Sequence, residues 1–130
     1  MLTITFLGNA AVAIDDGDAG VLVDPYLADS DEWSGDLDAA LDAVGPVDGV
    51  LVTHAADDHL GDAPALALEH GLPVVSEPAT TRALVAAGVP AEQLSTVVWG
   101  QTVDVAGLTV RVLEARHASS TVVDGRLVSG

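Results

Sequence analysis

Residues 49–62 read Gly49-Val50-Leu51-Val52-Thr53-His54-Ala55-Ala56-Asp57-Asp58-His59-Leu60-Gly61-Asp62. The first five run apolar into Thr53 without the polar alternation of a half-wet strand, so they are expected to form a strand buried on both faces. Asp62 then stands where a helix N-cap belongs, Pro64 falls in the first turn, and Gly71 follows His70 as a stop. That spacing predicts a helix over 62–70. A buried strand, a polar loop and a helix in succession are the unit of an open α/β sheet. Such sheets present their ligands from loops at the carboxyl ends of their strands.

The pattern stays regular on both sides of this unit. Upstream, residues 2–7 alternate apolar side chains with threonine, the period-2 mark of a strand. Residues 11–14 and 21–23 flank the Asp/Gly-rich segment 15–20, which reads as a hairpin loop. Asp24-Pro25 ends the third strand, because proline has no N–H for the ladder, and the acidic stretch 29–32 reads as a solvated face. Over 36–44, Leu37, Ala40, Leu41 and Val44 fall at i, i+3, i+4 and i+7, an amphipathic helix stopped by Gly45-Pro46. Downstream, a strand is expected over 72–75 and a helix over 78–87, ended by Gly88. Three successive strands follow over 94–99, 102–105 and 108–113, with Gly100 and Gly107 at the turns, and then a hairpin over 122–128. Hairpins at both ends and strand-helix-strand units between them predict an α/β domain, a mixed sheet with helices on one face.

Composition narrows the chemistry. At 130 residues the chain has the length of a single domain, and 49% hydrophobic residues with a mean hydropathy of +0.42 give it a sizeable core. It carries 20 acidic residues against 4 basic ones, no lysine, and a formal charge of −16. Phosphate backbones and anionic bilayers repel such a surface, so nucleic acid and membranes are poor partners. Nothing in the segment 1–14 resembles a signal peptide, and no apolar run approaches the ~18 residues of a membrane span. A soluble, cytoplasmic protein acting on a small molecule is the expectation, with homo-oligomerisation left open. With no cysteine, a metal has only imidazole and carboxylate ligands to use, a donor set suited to Zn, Mn or Fe.

Those ligands gather in the loop already quoted, where His54, Asp57, Asp58 and His59 fall within six residues. His70 ends a helix beside Gly71, where an imidazolium favours the dipole, and reads as structural. Ser119 and Ser120 have no base-and-acid arrangement around them and read as loop hydroxyls. Asp24 either supports the metal loop or simply ends its strand.

The segment Thr53-His54-x-x-x-Asp58-His59-Leu60-Gly61-Asp62 after an apolar strand resembles the His-x-His-x-Asp-His loop of the metallo-β-lactamase superfamily. Leu7-Gly8, the run Val23-Asp24-Pro25-Tyr26-Leu27 and Gly61-Asp62-Ala63 are most similar to the branch containing ascorbate-6-phosphate lactonase. Ala115-Arg116-His117-Ala118-Ser119-Ser120 matches the later strand end that supplies a further His in that family. The resemblance implies the N-terminal part of an αββα sandwich, and a domain over 1–130 that is the N-terminal portion of a larger metallo-hydrolase domain. The remainder would carry a bridging Asp and a last His. It further implies a metal-dependent hydrolase whose metal-bound hydroxide attacks an ester, lactone or phosphoester. Its cofactor would be one or two divalent ions, Zn first and Mn or Fe in its place. His54 and His117 match first-metal ligands and Asp58 and His59 second-metal ligands, Asp58 also orienting and deprotonating water. Two positions depart from the pattern. Ala56 stands where the second His belongs, with Asp57 beside it as a substitute, and Asn9 stands where many relatives carry His. A non-catalytic binding or regulatory relative with a degenerate metal site is the alternative reading, and the 130 residues alone are expected to bind metal weakly or not at all and to be inactive.

The charge balance also resembles that of proteins from saline cytoplasm. Self-repulsion among so many carboxylates is screened once the Debye length falls to about 3 Å in molar salt. The thermal midpoint is therefore expected to rise markedly between about 0.1 M and about 2 M KCl, and melts in which it stays level contradict a halophilic adaptation.

Overall fold

One six-stranded sheet changes its mode of connection halfway across, and that change creates the site. The computed structural model describes residues 1–129. Strands β1 (Thr3–Gly8), β2 (Ala11–Asp15) and β3 (Gly20–Val23) form an antiparallel meander, and β4 (Gly49–Val52), β5 (Val74–Ser76) and β6 (Leu94–Thr96) continue the sheet in parallel from β3. Parallel neighbours need crossovers, and each contains helix: α1 (Leu37–Val44), then α2 (Asp57–Leu60) with α3 (Ala63–His70), then α4 (Pro78–Ala86). Two hairpins follow, β7 (Thr102–Val105) with β8 (Leu108–Arg111) and β9 (Ser120–Val123) with β10 (Arg126–Ser129). None of the helices among the described residues is long and apolar enough to cross a membrane.

The period of two in the strands sorts the core into two layers. Leu22, Val50, Val74 and Leu94 are successive cross-strand partners, and their row packs beneath Ala40 of α1, Leu66 of α3 and Leu84 of α4. The opposite face carries Val21 and Val75, which pack with Val97 against Val105 and the other apolar side chains of the β7–β8 hairpin. Helices therefore cover one face and a hairpin part of the other. Ile4 and Phe6 share that second face with their partners Ile14 and Val12, and stay 63% and 69% exposed.

Several local expectations change. The segment 57–60 is a single helical turn rather than a loop; four residues are too few for an apolar period to register, and its N-cap, Ala56, has no side-chain acceptor. Strand β5 begins at Val74 instead of residue 72, because Pro73 has no N–H for the ladder. The three strands expected over 94–113 are not one meander: β6 joins the main sheet beside β5, and only β7 and β8 pair with each other. Gly100, at φ +92°, turns the chain out of the sheet between them.

Asp62 sits at the N-cap of α3 but does not cap it. Its Oδ2 accepts from the backbone N–H groups of Leu27 and Ala28, both at 2.8 Å, while its own N–H donates to the Pro25 carbonyl. The loop after β3 is thereby tied to the loop after β4. Gly61 permits this approach: its φ is +44°, and a Cβ there would fall 2.5 Å from the Pro25 oxygen and 2.7 Å from the Tyr26 Cα. Gly61→Ala is accordingly expected to cost about 2 kcal/mol of stability through backbone strain and overlap, read as a lowered urea midpoint; an unchanged midpoint contradicts the close packing of the two loops.

Candidate metal centre

Asp24 is the first residue past β3, and its backbone N–H still donates to Leu51 of β4. The chain then leaves the sheet through a left-handed residue, φ +48°, which turns the Asp24 side chain across the end of β4. There it is buried. Oδ1 accepts from the Thr53 N–H at 2.7 Å, and Oδ2 accepts from Thr53 Oγ1 at 2.6 Å and from His59 Nδ1 at 2.7 Å. The alternative left open by the sequence is thus decided by geometry: Asp24 supports the histidine loop.

These bonds assign the imidazole tautomers. Thr53 donates its only hydroxyl hydrogen to Asp24, so it accepts from His54 Nδ1, 2.9 Å away. His59 likewise carries its hydrogen on Nδ1, facing the carboxylate. In the neutral form of each ring the Nε2 atom keeps a lone pair. That of His54 is fully buried and has no hydrogen-bond partner among the described residues, a costly state for a polar atom unless a cation meets it. Burial chiefly holds the His54 imidazole below its ordinary pKa, the neighbouring His59 and His117 add to the effect, and Asp24 and Asp58 oppose it. The ring is kept in its neutral, ligating form.

Residues far apart in the chain meet around this ring. The His54 ring centre lies 4.1 Å from that of His59 and 4.4 Å from that of His117, and the last two are 6.3 Å apart. Asp24, His54 and His59 offer ligand atoms all within 4.8 Å of one another. Asp58 extends from the first turn of α2 to the rim, with Oδ2 3.7 Å from His59 Nε2 and more than half of its side chain exposed. The Asn9 amide donates to the Asp58 carbonyl at 3.1 Å, so the residue standing in place of a histidine touches the loop from outside. Asp57 is exposed and does not join the cluster, Ala56 presents only a methyl group, and His70 lies apart on the last turn of α3. A cleft of about 370 Å³ opens over His54 and His117, walled by Val98, Trp99 and Leu113.

Two participants were not foreseen from the sequence. Glu77 lines the same cleft, and Ser119, read there as a free loop hydroxyl, is bonded to it. The one available sign was Glu77-Pro78 before a helical segment, an N-cap with Pro at N1.

A family model described as a beta-lactamase superfamily domain matches residues 20–129. The chain is 37% identical over 131 residues to a UPF0173 metal-dependent hydrolase of Methanopyrus kandleri, an alignment covering 99% of this chain and 53% of that protein. A UPF0173 metal-dependent hydrolase of Mesorhizobium japonicum is 32% identical over 127 residues, covering 95% and 52%. The chain spans about half the length of the curated relatives it matches. Its fold is similar to that of Igni18, a metallo hydrolase from Ignicoccus hospitalis, with a TM-score of 0.72 and 23% identity over 99% of this chain and 54% of that one.

Glu77 gives this region a pH signature. Burial works to raise its pKa, but hydrogen bonds from Thr80 Oγ1, the Ala79 and Thr80 N–H groups and Ser119 outweigh burial and hold the carboxyl below its ordinary 4.5. A depressed carboxyl stabilises the fold above the unfolded value, and that stability is lost as pH falls through the folded one. Glu77→Gln is therefore expected to cost about 1–2 kcal/mol at neutral pH, the worth of a helix cap, with the gap to the parent narrowing on acidification below 4.5. Urea titrations across that range check it, and a gap independent of pH contradicts it.

Proposed function

The chain belongs to the beta-lactamase superfamily, and from that premise we propose that it carries the metal-binding histidines of a metal-dependent hydrolase. The observation that carries the proposal is the buried, unpartnered Nε2 of His54, beside His59 and His117. An isolated structural histidine would be expected to satisfy that nitrogen with a protein donor.

His54, His59 and His117 would hold a divalent ion, with Asp58 beside His59 at the open side. Nitrogen and oxygen donors without sulfur favour Zn, and Mn or Fe can take the same set. Such an ion, when bound, lowers the pKa of water toward neutrality and polarises a carbonyl or phosphoryl oxygen. The chain's own residues do the rest. Asp24 and Thr53 hold His54 and His59 in the tautomer that presents Nε2. Asp58 is exposed enough to reach a water molecule, and its carboxylate orients that water and accepts its proton. The apolar wall of Trp99, Val98 and Leu113 seats the non-reacting part of a small substrate and excludes water. An ester, lactone or phosphoester is the substrate class we propose, hydrolysed in the cytoplasm.

Ala56 favours a second reading, a relative that keeps the fold and binds without turnover, because one imidazole of the pattern is absent. Metal titration separates the two. The unmodified chain is expected to bind Zn weakly, and Ala56→His to tighten binding by about tenfold or more, since even groups that only support a ligand change metal affinity on that scale. In metal-loaded protein that also carries the remainder of the domain, Asp58→Asn is expected to lower hydrolysis of model esters, lactones or phosphoesters by about a hundredfold or more. Two tightly bound equivalents in the unmodified chain contradict the role given to Ala56. Metal binding with no hydrolysis of any of the three classes upholds the binding relative instead.

A further inference from the structure

His117 stands in the segment 112–119 between β8 and β9, where neither helix nor strand holds it, and it is exposed. Its ring nitrogen Nδ1 makes only a local contact, with the Ala118 carbonyl at 3.1 Å. Yet the ring lies against His54. The connection runs through Ser119. Its Oγ donates to Glu77 Oε1 at 2.8 Å and accepts from the Ala55 N–H at 3.1 Å. One hydroxyl hydrogen and two lone pairs allow both bonds at once. Each partner is itself fixed. Ala55 is buried and follows His54 directly, and Glu77 is locked by accepting from the Ala79 N–H at 2.7 Å, the Thr80 N–H at 2.8 Å and Thr80 Oγ1 at 2.7 Å. The histidine loop, the start of α4 and the approach to β9 therefore meet at a single oxygen.

We propose that Ser119 is a positioning residue that seats His117 beside His54 by clamping its loop between Ala55 and Glu77. Ser119 acts here by position, its hydrogen held by Glu77 at the cleft wall and one of its lone pairs by the Ala55 N–H. The clamp acts in the metal-free protein, and its consequence for metal binding rests on the reading of His117 as a ligand.

Two measurements keep clamp and ligand apart. In the full metal-free chain, a nuclear Overhauser effect between the ring protons of His54 and His117 is expected in the parent and in Ser119→Thr, which keeps the hydroxyl, and is expected to vanish in Ser119→Ala. Should the alanine variant fail to fold, Ser119→Cys keeps the volume without the strong donor and is expected to lose the same signal. Zn affinity is then compared in a double-mutant cycle. Ser119→Ala is expected to weaken it about tenfold in the parent, to have no effect in a His117→Ala background, and to be rescued in Ser119→Thr. Persistence of the signal in a folded variant without the hydroxyl overturns the clamp, as does an equal loss of Zn affinity in both backgrounds. A lost signal with unchanged Zn affinity supports the clamp and removes His117 from the ligand set.

Discussion

A single buried carboxylate organises the end of the sheet. Asp24 leaves β3 in a left-handed turn and receives three hydrogen bonds from the loop after β4, two from Thr53 and one from His59. Burying a carboxylate without donors is costly, and these bonds offset that cost while fixing what donates them. Thr53 passes the constraint to His54, and His59 receives it directly. Two imidazoles that are five residues apart are thus held with their ring centres 4.1 Å apart, a result that loop sequence alone does not guarantee. The same edge is tied a second time by Asp62, which holds the Leu27 and Ala28 amides, and Gly61 lets the two loops touch.

The change from antiparallel to parallel pairing explains why the edge lies there. Strands β3 and β4 are the first parallel pair, so both end on the same side and deliver Asp24 and Thr53 as neighbours. An antiparallel β4 would have sent the histidine loop to the opposite edge. The abundant aspartates of the first half are also not simply a solvated coat. Asp15, Asp16, Asp36 and Asp48 each accept from a backbone N–H in a turn, cap or strand end, and Asp24 and Asp62 lock the two loops, whereas Asp29, Asp31 and Glu32 are exposed as the sequence suggests.

Much of the fold was legible because its strands are bounded by unambiguous stops. The buried run before Thr53, the Asp/Gly loop after β2, and the Gly-terminated helices α3 and α4 each have one sensible reading. What escaped has physical reasons. The turn α2 is too short to show a period, and the fate of β6 depended on whether it paired forward with β7 or backward with β5. In the site, His54, Asp58 and His59 were singled out from residue type and spacing and His117 from the family resemblance; the three imidazole rings lie near one another, while the compact ligand group is Asp24, His54 and His59, with Asp58 3.7 Å from His59. Asp24 remained ambiguous because strand ends often carry Asp before Pro. The bond between Ser119 and Glu77 was invisible, since 42 residues separate two groups that only tertiary packing joins.

The orientation of the histidines by Asp24 is the point from which the metal centre follows, and the ring nitrogens report it directly. Long-range proton–nitrogen spectra of metal-free protein, recorded at a pH where the rings are neutral, are predicted to show the hydrogen of His54 and of His59 on Nδ1, and Asp24→Asn to disperse that preference in a chain that still folds. Nε2-protonated rings in the parent, or an unchanged tautomer pattern in the folded Asp24→Asn variant, would contradict it.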